Sequence, residues 1–175
     1  MAAPIEIDVW QGEIADLEVD ALVVAASESL FMTAGAAASV KRHGGDAIER
    51  AAVAQGPVHP GEAVATEAGT LAAAYVIHVV GVGHDRIAEP ERLRAAIRAA
   101  FEFAEPLHLR RMAFALIGVE HGVFSVADAA EILLEELTNP SGQRQLPESI
   151  VVATANAAEM QAAGEAQARR RARVT

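Results

Sequence analysis

The sequence predicts an α/β fold, a three-layer α/β/α sandwich around a mixed, mainly parallel sheet. Short apolar runs alternate with longer amphipathic stretches along the chain, the order that builds strand–helix–strand units. Several of those runs are apolar at nearly every position, the pattern of strands covered on both faces. The 52% hydrophobic content contains only 4% aromatic residues, so the layers must pack through Val, Ile, Leu and alanine.

Taken in order, residues 5–10 (IEIDVW) alternate apolar and polar, as an outer strand does. Residues 20–26 (DALVVAA) read as a strand buried on both faces. A helix follows over 35–54, bent or broken at Gly44-Gly45. Strands are expected at 63–66 and 74–80. Over 91–105, Leu93, Ile97, Ala100, Phe101 and Ala104 fall on one stripe of a helix opened by Pro90. Residues 112–117 form another buried strand, and 125–137 a helix with Ser125 and Asp128 as a capping pair. Residues 138–147 (TNPSGQRQLP) read as a polar loop without functional signal, 149–153 (SIVVA) as the last strand and 156–173 as the last helix. The arginines of the tail, 168–175 (ARRRARVT), complement that helix's dipole. The 175 residues fit a single domain, with no repeat at solenoid spacing.

Charge and composition narrow the partners. Against 24 acidic residues stand 14 basic ones, a formal net charge of −10, which repels a nucleic-acid backbone. A small anionic ligand is still compatible, because backbone N–H groups supply local positive potential. Without cysteine there is no disulfide, thiolate nucleophile or Cys-ligated zinc. No signal peptide or membrane span is readable, so a cytoplasmic location is expected by default. No cofactor or metal is expected, and the oligomeric state is not legible.

Ligands of such sheets sit at the carboxyl ends of the strands. Three loops there carry signal: Gly12-Glu13-Ile14, residues 25–38 (AASESLFMTAGAAA) and residues 118–125 (GVEHGVFS). The last two join glycine to a helix start, the arrangement a diphosphate needs: the backbone comes close and unpaired N–H groups point at the anion. Glu120 and His121 are candidates for an acid–base pair or metal ligands, although sequence neighbours seldom converge on one point. His78, inside a strand, reads as a hydrogen-bonded core residue. His84 and Asp85 fall near the expected rim.

The order of these blocks resembles the macro domain family of the ADP-ribose-binding, Appr-1-p processing type. The resemblance runs from about residue 5 to residue 152, through Gly12-Glu13-Ile14, Asp20 to Val23, LFMTAGAAASVK (30–41), Gly44-Gly45, Gly61 to Val64, LAAAYVIH (71–78) and AFALIGVEHGVF (113–124). It implies a pocket for ADP-ribose or a related nucleotide diphosphate, free or attached to protein. Lining it would be Glu13, Ile14, Ala26, Ser27, Gly35, Ala36, Ala37, Gly118, Val119, Glu120, His121, Gly122 and Phe124, with Phe124 on the ribose side. Glu13 stands where the family has an adenine-binding Asp, Ser27 where it has an Asn, and Ala37 where its hydrolases have an Asp. Glu120 enters the usual Gly-Thr-Gly, where it would oppose a diphosphate or turn to solvent. The resemblance therefore implies a binding module that is a poor hydrolase. A scaffold with a decayed pocket, structural or oligomerising, and an ADP-ribosyl or O-acetyl-ADP-ribose hydrolase are the alternatives.

Overall fold

The computed structural model describes residues 3–138 and 144–174. Six strands are described: β1 (Glu6–Gln11), β2 (Ala21–Ala25), β3 (Ala63–Glu67), β4 (Tyr75–Val79), β5 (Arg111–Ala115) and β6 (Ser149–Thr154). They form one sheet in the order β1-β6-β5-β2-β4-β3. All neighbouring pairs are parallel except β3 with β4, which is antiparallel. The expected architecture is the one observed, and the alternating segment at the start forms an edge strand.

Side-chain alternation divides the core into two sides. Ala21, Val23, Ile77, Met112, Phe114, Ile150 and Val152 pack with α3 (Pro90–Phe101), α4 (Val126–Thr138) and α5 (Ala157–Val174). Leu22, Val24, Val76, Ala113 and Val151 face α1 (Gly35–Gly44) and α2 (Asp46–Val53), through Val40 and Ile48. Both faces of the central strands are thus covered, which is why they are apolar at successive positions. Phe114 packs its ring 5.5 Å from that of Phe101. Each fully buried Leu, Ile or Phe contributes about 1.5–3 kcal/mol.

The helices end where local chemistry ends them. Gly45, at φ 105°, breaks α1 from α2 and donates its N–H to the Lys41 carbonyl at 2.9 Å. The stripe expected over 91–105 leaves the α-helix after Phe101, because Phe103 and Ala104 switch to shorter bonds three residues back. Ala104 stays fully buried all the same. Ser125 Oγ accepts the Asp128 N–H at 3.1 Å, the cap expected at the start of α4. Two tail arginines do more than complement a dipole: Arg169 and Arg170 reach Glu131 of α4 at 3.0 and 2.5 Å. The polar loop expected at 138–147 falls outside the described residues at 139–143, as does Thr175 of the tail. Among the described residues, no helix is long and apolar enough to cross a membrane.

Candidate ligand-binding site

A cavity of about 770 Å³ lies over the carboxyl ends of the five parallel strands. From β1 to β4 it crosses four strand spacings, roughly 19 Å at about 4.8 Å each. Glu13 and Ile14 line the β1 end, Ala155 and Glu159 follow β6, and Val119 to His121 follow β5. Ala26, Ser27 and the run from Thr33 to Ala37 follow β2, and Val82 to His84 with Arg86 close the β4 end. An elongated ligand can lie across this row, and 770 Å³ is ample for a nucleotide-sized molecule.

At the β1 end, Ser39 on α1 donates its hydroxyl to a Glu13 carboxylate oxygen. The hydroxyl sits one helical turn from Gly35, so the helix that opens on the cavity also fixes this acceptor. Arg42, seven residues from Gly35, continues the same face of α1 and lines the cavity as an exposed cation.

The loop after β2 is held from below. Ala26 donates its N–H to Val79 of β4, and Ser27 shares a hydroxyl contact of 3.0 Å with Ser29. Glu49 of α2 accepts the Met32 N–H at 2.7 Å and pairs with Lys41 Nζ at 2.8 Å. The Lys41 hydrogen bond holds the Glu49 carboxyl below the usual carboxylate range. Helix α1 then begins at Gly35 with no side-chain cap on its first turn, so its leading N–H groups remain available to an anion. Phe31, 53% exposed, stands on the rim.

The loop after β5 is folded on itself. Gly122 donates to the Val119 carbonyl at 3.1 Å and Phe124 to the Gly118 carbonyl at 3.1 Å. Gly118 has φ 102°, and a Cβ there would lie 2.9 Å from Leu93 Cδ2 and 3.1 Å from Phe124 Cδ2. Of the two courses expected of Glu120, the turn to solvent is not taken: its carboxylate turns back into its own loop at the cavity's edge and accepts the Gly118 N–H at 3.1 Å with each oxygen. Burial pushes the Glu120 carboxyl up to about 7, against the lowering effect of that hydrogen bond. His121, at φ 55°, is exposed. Among the described residues no cluster suited to a metal ion occurs.

Ten of the thirteen expected lining residues border the cavity: Glu13, Ile14, Ala26, Ser27, Gly35, Ala36, Ala37, Val119, Glu120 and His121. Gly118, Gly122 and Phe124 do not; Phe124 is 6% exposed, packed beneath the loop in the core. Sequence reasoning passed over Phe31, Arg42, Arg86 and Glu159. Glu159 was within reach: Asn156 and Glu159 have capping-box spacing, Glu159 N–H donates to Asn156 Oδ1 at 3.0 Å, and Glu159 Oε2 accepts the Ala155 N–H at 2.6 Å. His78 is fully buried, its Nε2 3.0 Å from Thr66 Oγ1, and burial pushes its pKa down to about 4. It is a core residue away from the cavity lining.

The Macro domain family model matches residues 23–133, most of the chain. The chain belongs to the macro domain family. It is 34% identical over 152 residues to an O-acetyl-ADP-ribose deacetylase of Cronobacter turicensis, covering 82% of this chain and 85% of that protein. To an uncharacterized protein of Mycobacterium tuberculosis it is 35% identical over 130 residues, which span 74% of this chain and 36% of that protein's length. In fold it is similar to the Trypanosoma brucei macrodomain in complex with ADP-ribose: TM-score 0.82, 24% identity, 91% of this chain and 68% of that one.

Proposed function

We propose that this macro domain binds ADP-ribose, free or carried on a protein. The observation that carries the reading is the cavity itself. Two loops, one opening α1 and one preceding α4, meet over the adjacent strands β2 and β5, with a carboxylate acceptor at the β1 end. In this reading Glu13 accepts the adenine amino group, the first turn of α1 faces the diphosphate, and the distal ribose lies toward Ser27 and β4. The likeness to a macrodomain that holds ADP-ribose supports it.

Calorimetric titration with ADP-ribose, AMP and ribose 5-phosphate tests the assignment. Glu13→Ala should weaken ADP-ribose by about 1.5–3 kcal/mol, the range for a bond to a charged acceptor, and leave ribose 5-phosphate unchanged. Equal losses for both ligands would remove Glu13 from adenine recognition.

Binding without efficient hydrolysis is the second part of the proposal. Hydrolysis needs a positioned water and a stabilised leaving group, beyond holding the ground state. At the positions in question stand Ser27, whose hydroxyl is engaged with Ser29, and Ala37. ADP-ribosylated protein and O-acetyl-ADP-ribose should both survive incubation with the protein. Rapid turnover lost on Ser27→Ala would show a minimal catalytic site and overturn this part.

A further inference from the structure

The loop after β5 already holds a carboxyl group of its own. Both oxygens of the Glu120 carboxylate accept the Gly118 N–H. Val119 is right-handed at φ −80° and His121 left-handed at φ 55°, the turn that folds the loop back so that Glu120 reaches the Gly118 amide before it. The internal carboxylate is thus a direct sign that this loop's amides receive negative charge, and that one of them is taken.

We propose that Glu120 is a built-in occupant of the diphosphate loop, a specificity-determining residue that an anionic ligand must displace or meet protonated. This rests on the ADP-ribose reading above. The surroundings favour competition over coexistence. Glu159 of α5, 8% exposed, acts on Glu120 as a second negative charge. The other charged or titratable groups lining the cavity are Glu13 after β1, Arg42 on α1, His84 and Arg86 after β4, and His121 in the same loop. Among the described residues no ion pair to a cation balances Glu120: His84 is engaged with Glu28, and neither His121 nor the lining arginines Arg42 and Arg86 pair with it. A diphosphate arriving beside Glu120 and Glu159 therefore meets local repulsion, which a proton on Glu120 or an outward swing of its side chain relieves.

The direction of the pH effect follows. With its carboxyl pushed up to about 7, Glu120 is largely neutral below that pH and charged above it. A bound dianion raises the carboxyl further, so binding takes up a proton and affinity falls as pH rises above about 7. The fall is up to tenfold per pH unit for one linked proton. The diphosphate itself keeps its two charges over this range.

The test is titration of ADP-ribose into the full chain and into Glu120→Gln, from pH 5.5 to 8.5, with adenosine as an uncharged probe. Expected are at least tenfold tighter binding by Glu120→Gln at pH 8.5, convergence of the two proteins near pH 5.5, and no effect on adenosine. Glu120→Ala, also titrated, should shift affinity in the same direction if Gln proves poorly folded. Wild-type binding that is independent of pH, with no gain in either variant, overturns the inference and leaves the ADP-ribose reading standing. A pH slope that persists in Glu120→Gln and vanishes in His121→Asn assigns the proton to the histidine and also overturns it. Absence of ADP-ribose binding by all the proteins at every pH overturns both readings.

Discussion

Replacing Gly118 by alanine isolates the strain and packing on which the loop after β5 depends. At φ 102° an alanine sits in a sparsely populated conformation, costing about 1–3 kcal/mol. Its Cβ would also press on Leu93 Cδ2 at 2.9 Å and Phe124 Cδ2 at 3.1 Å, and overpacking of this kind costs about 1–3 kcal/mol more. The sum, about 2–6 kcal/mol, is a large part of the 5–15 kcal/mol typical of a folded domain. With a urea slope of about 2–3 kcal/mol per molar, the unfolding midpoint should fall by about 0.7–3 M. Gly122→Ala is the matched control. It also has a positive φ, 67°, but a Cβ there meets nothing within 4 Å, so only left-handed strain of about 1–2 kcal/mol remains. Urea unfolding followed by circular dichroism compares the two. Equal losses would mean that Leu93 and Phe124 do not confine Gly118, and a neutral Gly118→Ala would refute the loop conformation itself.

Three further outcomes are expected. Buried His78 is held neutral, with a folded value of about 4 against about 6.5 unfolded; the unfolded chain binds more protons between these values, so stability falls as pH drops from 6.5 through 4, by on the order of 3 kcal/mol. Glu120, raised to about 7 when folded, works in the opposite direction between 7 and 4.5, so Glu120→Gln should steepen the acid-side loss of stability seen in urea titrations across pH, and an unchanged slope would contradict the pairing. Ser39→Ala frees Glu13 from its fixed orientation and should weaken ADP-ribose about two- to tenfold, the worth of a single hydrogen bond of about 0.5–1.5 kcal/mol; ribose 5-phosphate titrated in parallel should not change.

The layers were legible because burial leaves a mark on composition. Leu22 and Val23 face opposite helical layers, so β2 had to be apolar at consecutive positions and could be read as central. Gly44-Gly45 was readable as a break because only glycine takes φ 105° without strain there. The cavity's loops were readable from their order along the chain rather than from any one glycine, since glycine before a helix is also a common turn residue. The orientation of Glu120 was not readable. It depends on the torsions of its own loop, including a left-handed His121, a conformation that residue identity does not announce for histidine. Phe124 was assigned to the cavity on family position alone, whereas the bonds that close the loop carry it underneath. Arg42 could have been found by continuing the helical face from Gly35 through Ser39, whereas Arg86 depends on where an irregular loop turns, which no periodicity describes.

The break at Gly45 has a consequence beyond ending a helix. It redirects the chain between α1 and α2, and Glu49 of α2 meets the Met32 amide, 17 residues earlier in sequence, in the loop that carries Phe31 and Thr33. The cavity's mouth is therefore set in part by a helix absent from its lining. Changes on the buried side of α2, at Ile48 or Ala52, would move that loop without altering any residue that touches a ligand. Selection, or an engineer, can thus retune the opening through the second helix while the binding residues stay as they are.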